Sequence, residues 1–183
     1  MKNEGGRMSW IPMALRISFH DCVSGCNGFV DIKNENNRGI GPLLRPLNWL
    51  WKKEVKGKKF YGLSFSFADF LAYSGCRASY LSSIQTLPNE PTLTVPKIEF
   101  KFCRVDASES ENKEIFEESI KGWSGTSGTK NFFAENFKEF TTKDIVAIMG
   151  AHTLGNACKA NSGFTKAWVA HAYTILIQNT TKI

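Results

Sequence analysis

At 183 residues the chain is about one domain long, enough to bury an apolar core without disulfide or metal staples. A hydrophobic fraction of 42% with 15 glycines excludes wholesale disorder, collagen and coiled coil, and no apolar run nears the ~20 residues that span a bilayer. The net charge of +6 raises a nucleic-acid reading, which the pattern does not support. Lys52, Lys53, Lys56, Lys58 and Lys59 gather at one helix end and loop, as a solvated face does, and lack the further arginines and stacking rings of a phosphate-tracking surface.

The start, Met1-Lys2-Asn3-Glu4-Gly5-Gly6, has no apolar leader core behind it. As written, it gives the cytoplasm as the default expectation, with an extracellular location if the N-terminus is incomplete. Cysteines at 22, 26, 76, 103 and 158 are odd in number, so at least one is a thiol or pairs between chains. Cys22 and Cys26 are close enough to bridge in an oxidising setting, and the spacing alone leaves that open. Zinc is not expected: His20, Cys22 and Cys26 offer three donors, but no second Cys/His pair follows at finger spacing.

In chain order the pattern is mostly helical. Pro12 suits a helix start, followed by Met13, Leu15, Ile17, Phe19 and Cys22 as apolar faces. Asn34 to Asn37 read as a polar loop. Ile40, Leu43, Leu44, Leu47, Leu50 and Trp51 then recur at helical spacing, with Pro46 expected to kink that helix or shift its start. Ser66-x-x-Asp69 reads as a capping box opening a buried helix through Phe67, Phe70, Leu71, Ser74 and Ala78. Val95 to Phe102 alternates apolar and charged residues, which predicts a strand. Glu109 to Glu118 is helix-prone, and Gly122 to Thr129 is expected to be an irregular loop. Thr141-x-x-Asp144 opens a capped helix whose face Ile145, Ile148, Met149 and His152 is expected to point inward.

Chemistry concentrates around two histidines. Arg16 and His20 lie one helical turn apart and share a face. A permanent cation beside an imidazole lowers its pKa and favours the neutral base near pH 7. Such a base can take a proton while the cation stabilises the negative charge left behind. His152 lies between Gly150 and Gly155, where missing side chains let a bulky flat group approach the backbone.

Arg16-Ile17-Ser18-Phe19-His20-Asp21-Cys22 resembles the distal motif of the haem peroxidases of the plant, fungal and bacterial superfamily. Gly150-Ala151-His152-Thr153-Leu154-Gly155 resembles their proximal motif. Asn37-Arg38-Gly39-Ile40 is similar to their distal asparagine loop, Ser66 to Phe70 to a structural helix start, and Cys103-Arg104-Val105-Asp106 to a Gly-Arg-x-Asp strand. Asn161 to Trp168 is similar to the intracellular class, the ascorbate and cytochrome c peroxidases, with a tryptophan 16 residues after the histidine. The likeness runs in consistent order from Pro12 to Val169.

The resemblance implies a mainly α fold with haem b between a distal and a proximal helix, and residues 1–183 as one incomplete domain. It implies reduction of hydrogen peroxide by a small organic donor, an oxidative stress chemistry, with neither nucleic acid nor membrane as partner. His152 would be the axial iron ligand, with Thr153, Gly155 and Phe19 lining the haem. His20 would move a proton between the peroxide oxygens, Arg16 would stabilise the departing one, and Asn37 would fix the His20 tautomer. Phe19 would wall the distal pocket, and Trp168 could hold one oxidising equivalent.

Several positions depart from the family pattern. The family's aspartate that supports the proximal histidine is expected to lie beyond residue 183, and the family's helix before the distal one is expected to be absent, since Arg16 comes almost at the start. Lys166-Ala167 replaces Gly-Pro, and Asn161 stands where ascorbate binders keep an arginine. Asp21, Gly25 and Asn27 partly match a calcium site, but Phe29 replaces a hydroxyl ligand and Asn27 removes a charge, so binding there is expected to be weak. His171 reads as surface or packing, and Asn179-Thr180-Thr181 as a chance glycosylation triplet. The alternative reading is a degenerate peroxidase-fold module that binds no haem and serves structure or interaction.

Overall fold

The fold is that of a computed structural model, which describes residues 10–23, 25–55, 58–59, 65–86, 95, 97–108 and 125–167. Those residues are mainly helical. Among them no helix is long and apolar enough to cross a membrane.

Helix α1 (Trp10–Val23) carries Pro12 in its first turn, where the missing N–H leaves no bond unmade. Its buried stripe, Met13, Ala14, Ile17 and Asp21, recurs at helical spacing. That stripe packs on α3 (Phe67–Thr86). The helices approach closely because residue 75 is glycine: a Cβ there would collide with Ser18 Oγ and lie 2.7 Å from Ser18 Cβ. Val30, Ile40, Leu43, Leu71 and Ala78 complete the core around the α1 residues.

Helix α2 (Gly41–Lys52) starts well before Pro46 and runs through it. Pro46 is exposed, so the Pro42 carbonyl that loses its partner faces water, and the start is not shifted to Pro46. Beyond it, β1 (Glu54–Val55) pairs antiparallel with β2 (Lys58–Lys59).

At the start of α3 the expected capping box forms by half. Ser66 Oγ accepts from the Asp69 N–H at 3.0 Å, but the Asp69 carboxylate does not return to Ser66. It accepts instead from the Cys103 N–H at 2.9 Å, the Arg104 N–H at 3.3 Å and Arg104 Nη1 at 2.9 Å. Asp106 caps the helix from the same segment, accepting from the Phe67 and Ala68 N–H groups at 2.9 and 2.8 Å. The strand expected over Val95 to Phe102 does not form among the described residues: 97–108 hold no regular element, and Ile98 and Phe102 are exposed. The Asp69 carboxylate thus holds the segment's backbone, and the segment's own Asp106 ties its far end to α3.

The loop expected through Thr129 is helical from Gly125 onward. Helix α4 (Gly125–Asn136) forms because burying Phe132 and Phe133 outweighs weak propensity in its first turn, where Thr129 Oγ1 bonds back to the Gly125 carbonyl. The acidic run Glu109 to Glu118 lies outside the described residues. Helix α5 (Thr142–Met149) has the expected capping box, with the Thr141 hydroxyl and Asp144 carboxylate satisfying each other's backbone N–H. A 3-10 turn (Gly150–Thr153), β3 (Asn156–Ala157), α6 (Lys159–Ser162) and β4 (Lys166–Ala167) follow, with β3 and β4 antiparallel around α6.

Burial alone would raise the pKa of Asp69, but the Arg104 guanidinium and the two amides hold it below the ordinary aspartate value. Asp69→Ala should therefore cost about 2–4 kcal/mol in urea unfolding at pH 7. The cost should be complete above pH ~4 and fade as pH falls through the lower folded pKa, so that variant and parent converge in acid.

Candidate functional site

Arg16 and His20 lie two residues either side of Ser18, so at 100° per residue they fall on the side of α1 nearly opposite α3. Both are half-buried, and Arg16 Nε lies 3.4 Å from His20 Nε2. Arg16 donates its other nitrogens to backbone: Nη1 to the Arg38 carbonyl at 2.8 Å and Nη2 to the Asn36 carbonyl at 2.7 Å. These acceptors lie in and just after a 3-10 turn (Glu35–Asn37) that Asn34 caps by accepting from the Asn36 N–H and that Arg38 closes.

Asn37, fully buried in that turn, lies with Oδ1 2.6 Å from His20 Nδ1. Its amide orientation is fixed because Nδ2 donates to the Asp31 carbonyl at 2.8 Å. A guanidinium can only donate and the Asn37 oxygen only accept, so His20 carries its proton on Nδ1 and its lone pair on Nε2. Burial, then the Arg16 charge, push the His20 pKa down to about 4; the Asn37 bond opposes this, and His152 lowers it further. The imidazole is a neutral base across the physiological range.

Phe19 stacks on Phe137 at 5.7 Å and stands edge-on to His20 at 6.1 Å. Its ring joins the cluster of Phe133, Phe137 and Phe140 that leads toward α5. After His20, Asp21 is fully buried; Oδ1 accepts from the Gly28 N–H at 2.7 Å, and Oδ2 has no hydrogen-bond partner. Burial raises the Asp21 pKa to about 7; the Gly28 bond opposes the shift and Asp106 adds to it. Cys22 and Cys26, left open by the sequence, form a disulfide, while Cys76, Cys103 and Cys158 are thiols.

His152 is not on the inner face of the capped helix. It sits in the 3-10 turn that follows α5, exposed, while Ile145, Ile148 and Met149 are only half-buried. Gly150 ends α5, and the tighter winding after it rotates His152 off the α5 stripe. His152 Nδ1 lies 3.1 Å from the Met149 carbonyl, which can only accept, so the proton is on Nδ1 and the basic lone pair on Nε2. Beside it the Thr153 hydroxyl is buried with no hydrogen-bond partner, and Leu154 and Gly155 are buried. Asn161 lies on α6, with its amide against Gly39 of the distal turn.

Arg16, Phe19, His20 and Asn37 thus stand together, and His152 is close enough for its charge to reach His20. Trp168 and His171 lie outside the described residues. Asp21 Oδ1 and Asn27 Oδ1 accept from the Gly28 and Phe29 amides, and the described residues hold no group of three His, Cys, Asp or Glu side chains suited to a metal. Sequence reasoning missed the Asn36, Arg38 and Met149 carbonyls, which carry no side-chain signal. The phenylalanine cluster was legible in the spacing of 133, 137 and 140, which repeats every three to four residues.

The profile of the peroxidase family matches residues 3–176, and the chain belongs to that family. It is similar to the peroxisomal L-ascorbate peroxidase 5 of Arabidopsis thaliana, 27% identical over 165 residues that cover 86% of this chain and 52% of that protein. The chain therefore spans about half the length of this curated relative.

Membership implies a haem cofactor, and the residues present fit one: His152 has the ligating tautomer, and an unpaired buried hydroxyl adjoins it. Removing the neighbouring cation should raise the His20 pKa. Arg16→Leu is expected to move the His20 titration, followed by NMR, upward from about 4 toward the ordinary 6.5. Because the folded pKa is depressed, stability should fall as pH drops from 6.5 to about 4, and by less in the variant.

Proposed function

We propose that residues 1–183 form a single haem peroxidase domain that reduces hydrogen peroxide to water at the expense of a small organic donor. The observation that carries this reading is the Arg16–His20–Asn37 array, in which a neutral imidazole and a cation are both fixed by one turn. His152 would hold haem b through Nε2, with Thr153, Gly155 and Phe19 lining it. When bound, haem supplies the electrons that cleave the O–O bond.

The chain's own residues then manage protons and charge. His20 Nε2 accepts the proton of the inner peroxide oxygen and delivers it to the outer one, which leaves as water. The 3.4 Å approach of Arg16 Nε to the same nitrogen is long, so an incoming O–H can displace it. Arg16 stays charged and anchored on two carbonyls, so its field stabilises the departing oxygen without reorganising. Asn37 keeps the Nδ1 proton in place, so Nε2 is always the acceptor.

Calcium is a minor reading, since the Asp21 and Asn27 oxygens are bonded to amides. The Arabidopsis relative is named for ascorbate, but the neutral Asn161 offers no charge to hold an anion, which favours aromatic donors here. Removal of hydrogen peroxide would place the chain in the oxidative stress response.

Stopped-flow mixing of the haem-loaded chain with hydrogen peroxide tests the mechanism. His20→Leu should slow the reaction by ~10²-fold or more, Arg16→Leu by a comparable factor, and the double variant by less than the product. A His20→Leu chain that binds haem and reacts as fast as the parent would overturn the reading. His152→Ala should abolish stoichiometric haem binding, seen as loss of the Soret band. In steady state, phenolic donors should be oxidised faster than ascorbate.

A further inference from the structure

The acceptors that hold Arg16 and His20 come from one short turn: the carbonyls of Asn36 and Arg38 and the side chain of Asn37. Inside the protein this turn is fixed by the fully buried Asn37 and Ile40. Outside, it ends at Gly39, whose φ of +82° lies in the left-handed region that favours glycine. The amide of Asn161 lies directly over Gly39. A Cβ at residue 39 would collide with Asn161 Nδ2 and lie 3.0 Å from its Cγ, so only glycine admits the contact.

Asn161 is exposed, but its backbone is well determined. Its N–H donates to the Cys158 carbonyl at 2.9 Å within α6. Gly163 closes α6 with a φ of +77° and an N–H bond to the Lys159 carbonyl, and the β3–β4 pair brackets the whole turn. This bracketed segment follows His152 in the chain. The Asn161–Gly39 contact therefore joins the segment after His152 to the turn that orients the distal pair.

We propose that Asn161, seated on Gly39, is a positioning residue that holds the Asn36–Gly39 turn and thereby the orientation of Arg16 and His20. Its effect on rate rests on the peroxidase reading; its effect on the His20 ring does not. The contact is one of shape rather than charge: a side chain branched at Cγ and of similar volume should serve, and a methyl group should not. Without it the turn gains freedom on its outer side, and the Asn37 oxygen no longer meets Nδ1 in one fixed geometry.

The test uses the full 183-residue chain, with and without haem, as parent, Asn161→Ala and Asn161→Leu. In the haem-free chain, ring ¹⁵N spectra should show His20 as the single Nδ1–H tautomer in the parent, a mixture in Asn161→Ala, and the parent pattern in Asn161→Leu. In the haem-loaded chain, Asn161→Ala should slow the reaction with hydrogen peroxide about tenfold, within the ~10² that a 1 Å misplacement can cost, and Asn161→Leu should restore it. Two results would overturn the proposal: Asn161→Ala with the parent's tautomer and rate, or a fall in rate and thermal midpoint together with an unchanged tautomer, the mark of a merely structural role. A Gly39→Ala/Asn161→Ala cycle separates contact from backbone strain, and additive losses would also count against it. A parent that fails to react with peroxide at all would sink the peroxidase reading and leave the ring-nitrogen result to decide this one.

Discussion

The contact of Ser18 with Gly75 sets the geometry of everything else. It lets α1 lie against α3 with backbone nearly touching side chain, and so fixes which side of α1 faces the core. Residues at helical spacing from Ser18, namely Ala14, Ile17 and Asp21, follow it inward. Arg16 and His20 are then obliged to face the other way, toward the Asn36–Gly39 turn. A larger residue at 75 would push the helices apart and swing Arg16 and His20 out of register with their acceptors.

The site's electrostatics follow from that placement. His20 is buried enough to stay neutral, and the Arg16 charge reinforces the effect, while backbone carbonyls rather than carboxylates hold the guanidinium. A carboxylate partner would offset the Arg16 charge and let His20 take a proton nearer neutral pH. Carbonyl dipoles orient the cation without cancelling it.

Much of this was legible in the chain. The Arg16–His20 spacing, the Asn37 partner and the Thr141–Asp144 cap are local or motif-borne, and each stands where the sequence puts it. Two of the errors come from competition by groups distant in sequence, and two from local packing and winding. Asp69 bonds Cys103 and Arg104 rather than its own helix terminus, and the segment from Lys97 takes its anchors from α3 rather than from a strand. Gly125 to Thr129 is pulled into helix by the burial of Phe132 and Phe133. His152 leaves the α5 stripe because the winding tightens at Gly150, a change periodicity alone does not register.

Gly28 threads between two acids: its N–H meets Asp21, and its Cα faces the carboxylate of Asp106 and the first turn of α3. A Cβ there would lie 2.7 Å from Asp106 Oδ1 and 3.0 Å from the Ala68 nitrogen, with φ already at +78°. No other residue satisfies space and backbone together. Any substitution at 28 would therefore disturb the junction of α1, α3 and the Cys103–Asp106 segment at once, so a change at this one glycine would unsettle the helix that carries Arg16 and His20.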